Sequence, residues 1–227
     1  MASVTKPPLR ILCVHGYRQN SSSFREKTGA LRKLLKKQVE LVYVNAPHRV
    51  VQVCSAGDGS ESGPASGAGE DSRGWWFSDS QARSFSAQQR CLDSLGLDES
   101  VAAVRDAVKE LGPFDGVLGF SQGAALVAML CSLHRRRSEP HLAFRFAILV
   151  AGFRSACEGH QGFYDSPLSI PSLHVFGLDD RVISDTMSRE LLPTFLDPQV
   201  MTHPGGHFVP AASAHRQTYK DFLSRFQ

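Results

Sequence analysis

Short apolar runs alternate with longer amphipathic segments along most of the chain. The runs that predict strands lie at residues 9–14, 39–44, 144–151, 173–176 and 200–202, with one more directly before Ser121. The segments that predict helices lie at residues 21–35, 97–111, 184–192 and 212–226, with one more directly after Ser121. Strands that alternate with helices at this spacing indicate an α/β fold, a doubly wound, mostly parallel sheet with helices on both faces.

Polar residues mark where the predicted helices begin. Ser22 or Ser23 is a candidate cap for the helix over residues 21–35, and Asp98 or Ser100 for the helix over residues 97–111. The pair Gly112-Pro113 is expected to end the second of these helices.

Residues 54–74 differ in composition from the rest of the chain. They are rich in glycine, serine and acidic residues and lack large apolar side chains until Trp75. Such a segment cannot bury a core and is predicted to be a flexible insertion in a surface loop. A length of 227 residues then fits one α/β domain over residues 1–227.

The charge of the chain limits which kinds of partner are expected. A net charge of +3 is too small to indicate nucleic acid as the main partner. The basic run Arg135-Arg136-Arg137 follows an apolar helix and is expected to satisfy its C-terminal carbonyls, with an acidic-ligand or localisation role as the weaker alternative.

Five scattered cysteines without a C-x-x-C pair argue against a disulfide framework or a zinc site and favour a reducing compartment. The N-terminus lacks an apolar signal core, and no run is long enough to span a membrane. A cytoplasmic location is therefore expected.

The segment Gly119-Phe120-Ser121-Gln122-Gly123 has the Gly-x-Ser-x-Gly pattern of a nucleophile elbow. An apolar strand precedes it and an apolar helix follows it, which is the context that the pattern requires. The glycines have a steric reason, because a β-carbon at either position would collide with the neighbouring strand or helix. The alternative is an ordinary serine in a glycine-rich strand-to-helix turn.

A serine nucleophile needs a base and a carboxylate, and the chain offers both after later strands. His207, in a Gly-Gly-His-Phe turn, is the preferred base, and His203 is the second choice, whereas His174 is expected in the core. The acid is Asp180 or Asp179, with Asp180 favoured by the two branched residues that follow Arg181. The order Ser, Asp, His is that of the α/β-hydrolase fold.

Backbone groups near the first strand and the elbow are candidates for stabilising an oxyanion. The N–H groups of Tyr17 and Gln122 are the expected donors, and His15 is expected to be a structural imidazole that bonds backbone. Four aromatic residues are predicted to form walls of an apolar substrate pocket: Trp75, Trp76, Phe153 and Phe208. For the tryptophans, core packing that anchors the preceding loop is an equal alternative.

Six segments together resemble the FSH family of serine hydrolases, and the resemblance covers nearly the whole chain apart from residues 54–74. These segments are Leu12-Cys-Val-His-Gly-Tyr17, Arg73-Gly-Trp-Trp76, Gly119-Phe-Ser-Gln-Gly123, Ala151-Gly-Phe153, His174-Val-Phe-Gly-x-x-Asp180 and Gly205-Gly-His-Phe-Val-Pro210. The resemblance implies a metal-free and cofactor-free carboxylesterase with a triad of Ser121, Asp180 and His207.

The sequence therefore predicts an enzyme that hydrolyses small-molecule esters with an apolar acyl chain through an acyl-enzyme. A thioesterase or other acyl hydrolase would use the same triad. An inactive hydrolase fold that binds a ligand or partner is the alternative from a different class.

Overall fold

The computed structural model describes residues 7–50 and 71–227, and its centre is a sheet of six parallel strands. The strands are β1 (Leu9–Val14), β2 (Val39–Val44), β5 (Gly116–Phe120), β6 (Phe146–Val150), β7 (Ser172–Gly177) and β8 (Pro198–His203). Two short antiparallel strands, β3 (His48–Arg49) and β4 (Arg73–Gly74), form a separate ladder. The α-helices are α1 (Ser21–Lys27), α2 (Gly29–Leu35), α3 (Leu97–Leu111), α4 (Gln122–Arg135), α5 (Asp185–Leu191) and α6 (Arg216–Ser224).

The strand order β2-β1-β5-β6-β7-β8 shows where the winding direction reverses. From β1 the chain moves outward to β2, and then returns to place β5 on the other side of β1. The register pairs Leu9 with Val39 on one side and Ile11 with Gly116 on the other. Ligands of open α/β sheets bind beyond the carboxyl ends of the strands at such a reversal. The loops after β1 and β5 meet at this point.

Helix α4 is the most deeply buried of the α-helices, because every residue from Gln122 to Ser132 is buried. Its small and apolar side chains pack against β5 and β6, where all five residues of each strand are buried as well. A helix that is apolar all round is stable only inside a protein. The elbow at its N-terminus is therefore held between buried elements of the core.

The predicted helix over residues 21–35 is in fact two helices, α1 and α2, with Thr28 between them. The Thr28 hydroxyl bonds the carbonyl of Phe24 at 2.7 Å and the hydroxyl of Tyr43 at 2.5 Å. The caps predicted for the helix starts were also wrong. Asn20, not Ser22 or Ser23, caps α1, and Gly96 with a φ of 93° precedes α3 without a side-chain cap.

The basic run satisfies carbonyls of α4 as predicted, but through its backbone and not through its side chains. Backbone N–H groups of Arg136, Arg137 and Ser138 donate to the carbonyls of Ser132, His134 and Leu133. Arg137 has a φ of 59°, which turns the chain back over the helix end. The Arg136 side chain donates instead to the carbonyl of Gly162. The side chains of Arg135 and Arg137 are exposed.

Most of the predicted insertion, residues 54–70, lies outside the described residues. Asp71 and Ser72 lead into β4, and the last two residues of the predicted insertion, Arg73 and Gly74, form that strand and are not a flexible loop. Arg73 pairs with Arg49 of β3. The described cysteines, Cys13, Cys91, Cys131 and Cys157, are free thiols. Within the described ranges, no helix is both long enough and apolar enough to cross a membrane.

Candidate active site

Ser121 lies between β5 and α4 in a backbone conformation that few residues other than glycine adopt. Its φ is 54° and its ψ is −119°. The Ser121 N–H donates to the carbonyl of Val150 in β6 at 2.8 Å, and the Ser121 carbonyl accepts from Ala124 at 2.9 Å. A strained backbone at such a turn is held only by the packing around it. The turn presents the Ser121 hydroxyl at the edge of the sheet where the carboxyl ends of the strands lie.

The two glycines of the elbow are required by close backbone approach. A β-carbon at Gly119 would lie 2.6 Å from the Cα of Ala124, and one at Gly123 would overlap the carbonyl oxygens of Val14 and His15. These contacts are with backbone atoms, which cannot rotate away. The steric reason given for the glycine pattern is therefore consistent with the packing of α4 against β1 and β5.

Side chains from two other loops form a line of contacts that begins at Ser121. The Nε2 of His207 lies 3.1 Å from the Ser121 Oγ, and the Nδ1 of His207 lies 2.8 Å from Oδ2 of Asp180. A carboxylate only accepts, so the Nδ1 of His207 carries the proton and donates it to Asp180. This leaves the unprotonated Nε2 facing the serine hydroxyl, as a general base requires.

Asp180 and Asp179 differ sharply in environment. The Asp180 side chain is fully buried, and its Oδ1 accepts from the backbone N–H groups of Val182 and Ile183, each at 2.9 Å. Asp179 instead forms an exposed ion pair with Arg181 at 3.1 Å. Of the two carboxylates left open by the sequence, only Asp180 contacts His207 among the described residues.

The surroundings of Asp180 keep its carboxyl ionised. Burial raises the pKa of Asp180, but the hydrogen bond from His207, those from the backbone of Ile183 and Val182, and the charge of His207 together outweigh burial. The pKa of Asp180 consequently lies below its usual value. A carboxylate that stays charged can hold the imidazole in one tautomer and stabilise an imidazolium.

A cavity of about 590 Å³ opens beside the Ser121 hydroxyl. Its apolar part comes from Phe24, Phe120, Phe208 and Val209, and the cation-bearing residues Arg18 and Lys27 also line it. Half of Phe208 is exposed, so this ring lies at the mouth. A volume of this size is typical of a small-molecule site.

Three of the four predicted wall residues do not line this cavity. Trp75, Trp76 and Phe153 are at most 1% exposed and lie in the core. The indole N–H of Trp75 donates to the carbonyl of His15 at 2.7 Å, and the ring of Trp76 packs edge-on against His160. Core packing, the alternative given for the tryptophans, describes Trp75 and Trp76, and of the four predicted wall residues only Phe208 lines the cavity.

The side chain of Gln122 has a role that sequence reasoning missed. Its Oε1 accepts from the Trp75 N–H at 2.8 Å, and its Nε2 donates to the Trp76 carbonyl at 2.7 Å. The buried amide thereby ties the segment after β4 to the elbow. Sequence reasoning used only the backbone of Gln122, and no local signal marks this long-range pair of bonds.

Replacing Gln122 with alanine is expected to lower the free energy of unfolding by about 3 kcal/mol, because the buried N–H of Trp75 and carbonyl of Trp76 would lose their partner. Urea denaturation measures this change. Gln217→Ala is the matched control, since Gln217 lies in the first turn of α6 but is exposed. Equal stability of the two variants would contradict this role of the amide.

The other candidate histidines do not contact Ser121. His15 accepts from the Ala46 N–H at 3.0 Å and donates to the Gly16 carbonyl at 2.7 Å, which makes it a backbone-bonding imidazole. His174 is buried against Phe195. The ring of His203 is buried against Phe208, and neither of its nitrogens has a hydrogen-bond partner among the described residues.

Three buried histidines, His15, His160 and His174, predict a dependence of stability on pH. Burial lowers the pKa of His15 and of His160 from 6.5 to about 4 and that of His174 to about 3. At pH values between these lowered pKa values and 6.5, the histidines bind protons in the unfolded chain but not in the folded chain. The free energy of unfolding is therefore expected to fall as the pH decreases from 6.5 towards 4, with each histidine contributing up to about 1.4 kcal/mol per pH unit.

Urea denaturation across this pH range measures the slope. His174→Gln is expected to reduce the slope, whereas the exposed control His141→Gln is expected to leave it unchanged. A slope that is the same in wild type and His174→Gln would contradict the assignment to His174.

The predicted oxyanion donors lie at the reversal point of the sheet. The N–H of Arg18 donates to Arg73 and that of Gly16 to the Gln19 side chain, while the N–H groups of Tyr17 and Gln122 have no acceptor within the described part of the chain. Gln122 is the first residue of α4, where N–H groups have no partner in the helix. Both groups are thus available to an oxygen bound near Ser121.

No group of three metal-ligating side chains lies at the site among the described residues. Across residues 7–50 and 71–227, no three His, Cys, Asp or Glu side chains are placed to hold a metal ion. The chemistry that the described residues offer is that of a serine hydroxyl in contact with an imidazole, which is in turn in contact with a carboxylate.

Comparisons with known proteins identify a matching family and similar chains. The profile of the family described as Serine hydrolase (FSH1) matches residues 4–219. The chain is 68% identical to Esterase OVCA2 of Danio rerio over 223 residues, which covers 97% of this chain and 98% of the relative.

Solved structures show the same fold at low sequence identity. Esterase PE8 superposes with a TM-score of 0.61 at 17% identity, covering 100% of this chain and 97% of that chain. SOBER1 of Arabidopsis thaliana superposes with a TM-score of 0.59 at 15% identity, covering 96% and 99%. The predicted fold class, an α/β-hydrolase sheet, is confirmed.

Proposed function

The chain belongs to the FSH1 family of serine hydrolases, and from this premise we propose that it hydrolyses carboxylic esters with an apolar acyl chain through an acyl-enzyme on Ser121. The observation that carries the proposal is the continuous contact from the Ser121 hydroxyl through His207 to Asp180, at 3.1 Å and 2.8 Å.

The first half of the reaction forms the acyl-enzyme. The Nε2 of His207 takes the proton of Ser121 as its Oγ attacks the ester carbonyl. Asp180 stabilises the imidazolium that results, and the N–H groups of Tyr17 and Gln122 bind the oxyanion. His207 then donates its proton to the leaving alcohol.

The second half releases the acid. Water attacks the acyl-serine, and the Nε2 of His207 takes its proton. The same oxyanion donors serve again, and collapse of the tetrahedral intermediate returns the proton to Ser121 and frees the carboxylic acid. None of these steps needs a metal ion or a cofactor, so none is part of the proposal.

Turnover of p-nitrophenyl esters of increasing acyl length tests the function directly, together with covalent labelling by a fluorophosphonate. We expect hydrolysis and labelling, with kcat/KM rising from acetate to medium-chain esters. Binding without turnover or labelling would favour the alternative of an inactive fold that only binds its ligand.

The apolar ring of Phe208 supports the preference for an apolar acyl chain. Replacing Phe208 with alanine is expected to raise KM for p-nitrophenyl octanoate about tenfold. Full burial of a phenyl side chain is worth roughly 1.5–3 kcal/mol, and the variant loses part of this contact. The KM for p-nitrophenyl acetate should change much less. Steady-state kinetics of both esters measure the difference.

Leu196→Ala is the matched control, because Leu196 is a large exposed apolar residue outside the cavity. If Phe208→Ala affected both esters equally, Phe208 would not contact the acyl chain.

A thioester substrate is the second candidate, and the cations at the cavity support it. The acyl-enzyme chemistry is the same, and Lys27 and Arg18 could contact an anionic leaving group such as a phosphate-bearing thiol carrier. A phosphate-bearing thioester and an oxoester with the same acyl chain distinguish the two candidate substrates. In Lys27→Gln, kcat/KM should fall for the thioester only.

The cell compartment is proposed on the cysteines alone. The free thiols of Cys13, Cys91, Cys131 and Cys157 are compatible with a reducing compartment such as the cytoplasm.

A further inference from the structure

A second cavity lies at the opposite edge of the sheet from Ser121. It has a volume of about 550 Å³ and is lined by the end of α4 and by residues that directly precede β6 and β7, among them Phe144, Arg145, Ile170 and Pro171. These residues mark the amino ends of parallel strands, whereas Ser121 follows the carboxyl end of β5. The strand length between the two edges is roughly 17 Å, so this cavity is separate from the catalytic one.

The cavity presents positive charge that the protein does not neutralise. Arg135 and Arg137 line it, and neither guanidinium forms an ion pair or side-chain hydrogen bond within the described ranges. The carbonyls of α4 that could have engaged them already accept backbone N–H groups. A third guanidinium, that of Arg145, lines the cavity while it pairs with Asp115 at 2.9 Å.

The floor of the same cavity is apolar. Cys131, Leu142 and Leu168 are at most 5% exposed, and Ile170 is partly buried against the core. None of the described residues that line the cavity is acidic. An unpaired pair of arginines above an apolar floor suits a molecule with an anionic head and an aliphatic body, because guanidinium groups bind carboxylates through paired hydrogen bonds.

We propose that this cavity is a binding site for an amphipathic aliphatic anion, with Arg135 and Arg137 holding its carboxylate and Leu142, Leu168 and Ile170 contacting its chain. The volume of about 550 Å³ lies within the range of small-molecule sites. The proposal does not depend on the esterase function, because no residue of the catalytic cavity takes part.

Photoaffinity labelling with a dodecanoate that carries a terminal diazirine tests the site, with mapping of the labelled peptides by mass spectrometry. The neutral probe is the corresponding alcohol. We expect the carboxylate to label the peptides that contain Leu142 and Ile170, and the alcohol to label them at least about tenfold less, since charge-assisted hydrogen bonds are lost. Label on the peptide that contains Phe208 reports the catalytic cavity separately.

The double variant Arg135→Gln/Arg137→Gln is expected to reduce labelling of the Leu142 and Ile170 peptides about tenfold and to leave labelling near Phe208 unchanged. Arg90→Gln is the matched control, because Arg90 is exposed and outside the cavity. The comparison of acid and alcohol uses the wild-type protein, so it holds even if the double variant does not fold. Equal labelling by both probes, absence of label at these peptides, or unchanged labelling of a folded double variant would overturn the proposal.

Discussion

Replacing Ser121 with alanine is expected to lower kcat for p-nitrophenyl ester hydrolysis by about 10⁴- to 10⁶-fold, the range expected when the nucleophile of a triad is removed. The physical reason is that the variant has no oxygen 3.1 Å from the Nε2 of His207 to form the acyl-enzyme. Alanine has the same β-carbon as serine, so the strained turn should keep its conformation and the stability should change little.

Steady-state kinetics measure the loss of turnover, and fluorophosphonate labelling should be lost in the same variant. The control is Ser138→Ala, because Ser138 is an exposed serine beyond the C-terminus of α4. Hydrolysis at the wild-type rate in a folded Ser121→Ala protein would exclude Ser121 as the nucleophile and with it the proposed mechanism.

Replacing Asp180 with asparagine is expected to lower kcat by about 10⁴-fold, as for loss of the carboxylate that orients a catalytic histidine. The amide cannot satisfy all its neighbours. If its oxygen accepts from His207, its NH₂ group faces the N–H donors of Val182 and Ile183, which now contact Oδ1 at 2.9 Å. If the oxygen faces those donors, the NH₂ group faces His207 and favours the wrong tautomer.

Asp179→Asn is the matched control, because it removes the same charge one residue earlier. Asp179 is exposed and pairs only with exposed Arg181, so the loss should change kcat less than about threefold, in line with the small energies of surface ion pairs. Measuring kcat of both variants decides between the two carboxylates. A larger loss in Asp179→Asn than in Asp180→Asn would reverse the assignment.

The fold was predictable because burial patterns are local properties of the chain. The apolar runs predicted at 9–14 and 39–44 coincide with β1 and β2, and the helix predicted at 97–111 coincides with α3. Helix starts were less predictable. Asn20 caps α1 because both halves of its capping box form with Ser23, and neighbouring serines offered equally good caps on sequence grounds.

The candidate site was predictable in part for a topological reason. Ser121, Asp180 and His207 each follow a strand, and parallel strands bring their carboxyl ends to one edge of the sheet. Their contact follows from this arrangement, while their catalytic roles stay predictions. The positions of Trp75 and Trp76 were harder to predict, because an aromatic pair next to a polar loop has the same local pattern whether it faces a ligand or the core.

The sequence by itself determined the parallel α/β class, the glycines of the elbow and the family, since all three depend on which residues follow one another. Only the tertiary structure showed that Asp180 contacts His207 and Asp179 does not, placed the tryptophans in the core, and showed that Arg135 and Arg137 lie beside an apolar cavity. These outcomes depend on which groups from distant segments lie within a few ångströms of one another. Side-chain burial and pairing of that kind are set by the packing of the whole chain, which no local pattern of residues specifies.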